Sequence, residues 1–174
     1  MTPRKYPFFP SWDGKATSPI TKKFFDLCQR RWAFTNLGMY ANRPVRNPQD
    51  KGALSTHATG FAVDMGYPAT RAGRATAKEA WDWLIEHSEA LLLCELHDYS
   101  YRNPAQPDTD KTAYGRGWRC SRGPQDKGIK LFTKADNAGS FGGVWLHAEI
   151  SNDWDSAEEF EAAWRALPKP IKNS

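Results

Sequence analysis

Apolar and polar positions along this chain change period several times, and each change marks an element. From Pro19 onward, Phe24, Phe25, Cys28 and Trp32 recur at three- and four-residue spacing, which predicts an amphipathic helix. Ser18 stands at its N-cap and Pro19 at its first position, where a missing N–H costs nothing. A second helix is predicted over about 76–89. There Ala77, Ala80, Trp81, Leu84, Ile85 and Ser88 trace one face, and Thr76 with Glu79 reads as a capping box. Trp81 and Leu84 belong to that stripe and are assigned to the core; His87 falls on the polar side as a surface histidine. A third helix begins near Ser156, capped with Glu159, and carries Phe160, Ala163, Trp164 and Leu167 inward until Pro168 and Pro170 stop it.

Elsewhere the period is two. Between Leu91 and Tyr99, Cys94, Leu96 and Asp98 alternate with Leu93, Glu95, His97 and Tyr99. In V-W-L-H-A-E-I-S, Trp145, His147 and Glu149 face one way, and Val144, Leu146, Ala148 and Ile150 the other. A strand with apolar residues on one side and Trp-His-Glu on the other reads as one that lines a site. K-G-I-K-L-F adds a further strand, followed by the D-N-A-G-S-F-G-G turn. The stretch S-T-H-A-T-G-F-A-V-D, Ser55 to Asp64, turns at Gly60 and then runs as a strand with Ala62 and Asp64 on one face. Residues 36–52 read as loop with short extended pieces, and 101–117, rich in Pro, Asp, Asn and Gly, as the longest loop. The expected fold is α+β, a central, mainly antiparallel sheet with flanking helices, in one domain over 1–174 with an irregular N-terminal arm of about 17 residues.

Charge changes this picture little. A formal +4 favours anionic surroundings, nucleic acid and bacterial wall polymers alike, yet the basic residues are dispersed and follow no recognition-helix or zinc-finger spacing. Three cysteines include no closely spaced pair; Cys28 and Cys94 lie in apolar patterns and read as buried thiols. The segment L-L-L-C is far too short to span a bilayer, and the N-terminus lacks the apolar run of a signal peptide.

Candidate chemistry centres on His57 and Asp64. His57 precedes the turn at Gly60, so the fold-back brings its ring beside the carboxylate. Imidazole nitrogen and carboxylate oxygen are common zinc donors, and a catalytic site keeps one position for water, so a third protein ligand is expected from afar. His147 is the candidate.

The stretch Ser55–Asp64 resembles, position for position, the S-x-H-x-x-G-x-A-x-D signature of the zinc D-Ala-D-Ala carboxypeptidase and peptidoglycan endopeptidase family, whose core is shared with the zinc domain of hedgehog proteins. The resemblance runs from about Leu37 to Asn152, and the motif fixes five positions in ten residues. It implies a hedgehog/DD-peptidase-like fold, Zn2+ on His57, Asp64 and His147, and hydrolysis of a peptidoglycan stem or cross-bridge peptide, with endopeptidase slightly preferred over D,D-carboxypeptidase. Better-known members carry a general-base glutamate three residues before the last histidine; here that position is Val144. Glu149 is therefore the first candidate for the base and Glu95 the second, with Ser55 and His97 in supporting positions. Arg43, Arg116, Arg119 and Trp145 are candidate substrate contacts, since guanidinium matches peptide carboxylates bidentately. Neither a stable nucleic-acid partner nor membrane insertion is expected. Without a signal peptide, a wall-directed enzyme is made in the cytoplasm and acts after lysis or release, or within a phage particle; a bacteriophage origin fits. Two other readings stand beside this one: a metal-containing binding or structural module of a phage particle that has lost catalysis, and a metal-dependent nuclease gripping its substrate through Tyr114, Arg116, Trp118 and Arg119.

Overall fold

The computed structural model describes residues 3–7, 16–44, 54–102, 114–133 and 144–170. Among them, six strands form one antiparallel sheet: β1 (Thr35–Gly38), β2 (Ala62–Gly66), β3 (Leu93–Asp98), β4 (Arg116–Arg119), β5 (Ile129–Leu131) and β6 (Trp145–Ile150). Their order is β1-β2-β6-β3-β4-β5. Three helices accompany the sheet: α1 (Pro19–Trp32), α2 (Arg71–Glu86) and α3 (Ala157–Ala166). The fold is α+β, as the pattern predicts. The expected turn at 136–143 and most of the long 101–117 loop lie outside the described residues.

Helix α1 begins where its sequence says. The Ser18 hydroxyl accepts the Thr21 N–H at 3.1 Å, and Phe24, Phe25, Cys28 and Trp32 are all buried. Helix α3 starts likewise, Ser156 accepting from Glu159 N at 3.0 Å. Helix α2 corrects the sequence reading. It starts at Arg71, capped by the Thr70 hydroxyl on Gly73 N at 3.1 Å, so Thr76 lies inside it. Gly73 permits this earlier start, since a Cβ there would sit 2.1 Å from the Pro68 carbonyl oxygen. His87 is also not a plain surface residue. It is the C-cap of α2, half-buried, with its ring 4.7 Å from that of Trp83, and burial pulls its pKa down.

The core lies on one face of the sheet. Val63, Met65, Leu93, Cys94, Leu96, Leu146, Ala148 and Ile150 supply the sheet side and are fully buried. The helices answer with aromatics: Phe24 meets Phe160 and Trp164 edge-on, both at 6.1 Å, and Trp83 meets Trp164 at 4.7 Å. Two of the indole N–H groups find acceptors here, Trp32 on Glu79 at 2.9 Å and Trp83 on the Pro168 carbonyl at 2.8 Å, while the buried Trp118 N–H has none among the described residues. None of the described helices is long and apolar enough to cross a membrane.

Candidate metal centre

The opposite face of the same strands is polar. Gly60 adopts φ +80°, and a Cβ there would meet the Ala16 carbonyl oxygen at 2.6 Å, so only glycine fits this turn. A short 3-10 turn, Thr56–Thr59, precedes it and carries His57, while β2 follows and carries Asp64. The fold-back puts His57 Nε2 3.4 Å from Asp64 Oδ2. Strand β6 lies next to β2 in a register that pairs Asp64 directly with His147, whose Nδ1 is 2.9 Å from Asp64 Oδ1. One ligand atom from each of the three residues lies within 4.8 Å of the others. Their arrangement can hold a metal ion.

His147 is oriented from behind, its Nε2 3.2 Å from Glu149 Oε1. The other Glu149 oxygen accepts the hydroxyl of Tyr6, from the N-terminal arm. Glu149 thus braces a histidine from the side away from Asp64, the usual place for a carboxylate that fixes a ligand's tautomer. Burial alone would lower the His147 pKa, but its hydrogen bonds to Asp64 and Glu149 prevail and push it up to about 10. Burial alone would raise Asp64, yet hydrogen bonds from His147 and His57 hold its carboxyl far below the usual range.

Beside the cluster stands a second ionic group. Strand register pairs His97 with His147 on one side and with Gly117 on the other. A Cβ at Gly117 would lie 2.6 Å from the His97 ring, so the glycine makes room for the imidazole. His97 Nε2 is in close contact with Glu95 Oε1, and its Nδ1 lies 3.3 Å from the Tyr99 hydroxyl. Glu95 also accepts the Arg119 guanidinium at 2.5 Å through Nε. Burial would raise the Glu95 pKa, but the His97 and Arg119 charges bring it down to about 2. Burial, then the charges of Asp64, Glu95 and Glu149, drive the Tyr99 hydroxyl well above its ordinary range; the Arg43 charge acts the other way.

The residues singled out from sequence therefore divide. His57, Asp64, His147, Glu149, Glu95, His97 and Arg119 converge on one face, and Trp145 joins them with its ring 5.0 Å from that of Tyr99. Arg43 stands near enough to act on Tyr99, and its carbonyl accepts the Ser55 N–H at 3.1 Å. Ser55 is buried ahead of the 3-10 turn, its carbonyl taking the Ala58 N–H at 2.7 Å, so what it supplies is backbone geometry. Arg116 faces the other way. It is buried against Asp98 (3.4 Å), with its guanidinium 4.1 Å from the Trp81 ring and 4.2 Å from Tyr101. Trp118 shares that side and is 2% exposed, so residues 114–119 form no continuous aromatic-basic surface. Alternation in β4 sends Arg116 and Trp118 to the core face and Arg119 to the site.

Two contributors carry little sequence signal. Tyr99 sits in the same alternation as Glu95 and His97, which placed it on the site face without suggesting a role. Tyr6 comes from an arm with no period at all. Its ring lies 4.7 Å from the Arg119 guanidinium and its hydroxyl bonds to Glu149 and Thr56. Comparison with protein-family models, with curated proteins and with solved structures yields no match.

Proposed function

We propose that this protein is a zinc-dependent peptidase that hydrolyses a peptide of bacterial peptidoglycan. The observation that carries the reading is the convergence of His57 and Asp64, which flank one turn, with the distant His147 on one polar sheet face. The donor set of two imidazoles and one carboxylate suits zinc and leaves a position for water. One donor atom from each residue lies within 4.8 Å of the others, so His57, Asp64 and His147 are the residues that would hold the ion. The peptidase assignment and the peptidoglycan substrate follow from the resemblance of Ser55–Asp64 to the zinc carboxypeptidase and endopeptidase signature, with a cross-bridge or stem peptide as the target.

Zinc bound there would acidify a coordinated water and polarise the scissile carbonyl. The protein's own residues would do the rest. Glu149, with both oxygens engaged by His147 and Tyr6, keeps the proton on His147 Nε2 and frees Nδ1 for the ion, a positioning role in place of the general base expected from sequence. Glu95 does the same for His97: it holds the proton on Nε2 and leaves Nδ1, beside the Tyr99 hydroxyl, as the nitrogen that exchanges a proton with water or the leaving amine. Arg43 and Trp145 stand at the margin as contacts for a peptide carboxylate and its backbone.

Metal content by elemental analysis, followed by digestion of purified peptidoglycan with mass spectrometry of the products, tests the reading. About one zinc per chain, lost in His57→Ala, together with new free amino groups in the digest, is the expected result. A zinc-loaded protein that leaves the wall peptides intact would reject the peptidase and support the non-catalytic module.

A further inference from the structure

Cys94 and Cys120 are 26 positions apart in sequence, and the β3–β4 register brings them together. Glu95 pairs with Arg119, and continuing that register by one residue sets Cys94 opposite Cys120, with the Cys120 N–H on the Cys94 carbonyl at 3.0 Å. Both side chains lie on the core face, away from His57, Asp64 and His147, and both are buried, Cys94 with its sulfur 3.5 Å from the Leu92 carbonyl oxygen. Directly opposed residues of antiparallel strands have Cα atoms about 4.5–5.5 Å apart, inside the range a disulfide spans. Their Cβ atoms, at roughly 4.5–5.5 Å for a directly opposed pair, start at the upper limit of the roughly 3.5–4.5 Å a disulfide takes, so closing the bridge draws the two strands together under strain and the bond opens readily to reductant.

We propose that Cys94 and Cys120 form a reversible cross-strand dithiol–disulfide site whose oxidant is a small-molecule disulfide. The Cys120 thiolate attacks one sulfur of the reagent and expels a thiolate. The Cys94 thiolate then attacks the Cys120 sulfur of the mixed disulfide and expels the second. Two protein thiols lose two electrons, the reagent takes them up as two thiols, and the two cysteine protons end on the departing sulfurs. Cys120 is the attacking partner because its sulfur lies directly under the arm at the Lys5 carbonyl while Cys94 is fully buried. Its thiol is held below the ordinary range by Cys94 and by the Arg4 and Arg119 charges, against an opposing push from burial. The Cys94 thiol is driven up, first by its hydrogen bond to Cys120 and then by burial, which suits the second, resolving step.

The N-terminal arm guards this pair. Arg4 donates its backbone N–H to the Cys120 carbonyl at 3.0 Å, its guanidinium bonds to the Leu93 carbonyl, and the Cys120 sulfur faces the Lys5 carbonyl at 3.9 Å. Cys120 is 3% exposed, so reagent reaches it when the 3–7 segment lifts. The same segment carries Tyr6 to Glu149, and a disulfide would therefore lock the strand edge to which the arm is moored.

The whole chain is equilibrated with oxidised glutathione, quenched with acid, unfolded, alkylated, digested and read by mass spectrometry. A linked peptide containing Cys94 and Cys120 is expected, with Cys28 alkylated as an internal control, and dithiothreitol should restore three alkylated thiols. Cys94→Ser under the same treatment should retain glutathione on Cys120. Three free thiols at equilibrium, a bridge involving Cys28, or glutathione persisting on Cys120 of the unaltered chain would overturn the proposal. Should Cys94→Ser fail to fold, the unaltered chain alone decides it.

Discussion

The two faces of the sheet are built from the same strands and obey opposite rules. On the helix side, burial suffices: Phe24 meets Phe160 and Trp164 edge-on, Trp83 packs tilted on Trp164, and the Trp32 and Trp83 N–H groups bond to Glu79 and the Pro168 carbonyl. On the other side, Asp64, Glu95 and Glu149 face three histidines and Arg119 at hydrogen-bonding distance. Buried carboxylates are costly without partners, and a polar sheet face this dense in charge has no advantage over an apolar one for stability alone. The proposed function gives that face its use as a metal site.

If the faces are separable in this way, damage to each should show in a different measurement. The largest effect belongs to His147→Ala. Loss of one of three ligands should weaken zinc binding on the order of 100-fold or more, read by competition with a chromophoric chelator, while the circular dichroism spectrum stays that of the unaltered chain. Trp164→Ala should do the reverse. Removing a fully packed indole costs about 3–5 kcal/mol in chemical denaturation, with metal stoichiometry unchanged at low temperature.

Acid should reach the polar face first. Glu95, ordinarily near 4.5, is held at about 2 when folded, so its contribution to stability is complete above pH 4.5 and is lost as pH falls through 2. Denaturant midpoints should decline across that window, and Glu95→Gln should flatten the decline; parallel curves would assign the acid sensitivity elsewhere. The smallest effect is expected from Glu149→Gln. A carboxylate that only orients His147 should cost roughly 10- to 100-fold in metal affinity, with turnover recovering when zinc is in excess. Turnover that stays abolished in a zinc-saturated sample would return Glu149 to the role of general base.

Much of this arrangement is legible in the chain itself. The three helices, the alternation of β3 and β6, and the turn at Gly60 follow from period, capping chemistry and the steric freedom of glycine, all local properties. The convergence of a trio that could hold a metal ion was also legible, because His57 and Asp64 flank one turn and His147 alternates with apolar residues along its strand. Arg116 and Arg119 show where that reach ends. They are the same residue type three positions apart, and only the onset of a strand at Arg116 sends one into the core against Trp81 and the other to Glu95. Helix α2 starts early because Pro68 and Gly73 touch, a contact no capping pattern announces.

What the sequence by itself determined was the three helices, the strands β2, β3, β5 and β6 and the apolar side of the helices and of β3 and β6, since these arise from interactions among near neighbours. Strand β4, which opens inside the stretch read as loop, was not among them. Tertiary structure decided the partners: Glu149 behind His147, Glu95 beside His97, Tyr6 reaching in from an arm without period, and Cys94 opposite Cys120. These depend on strand order and register, and a register is fixed by the packing of the whole sheet rather than by any one strand.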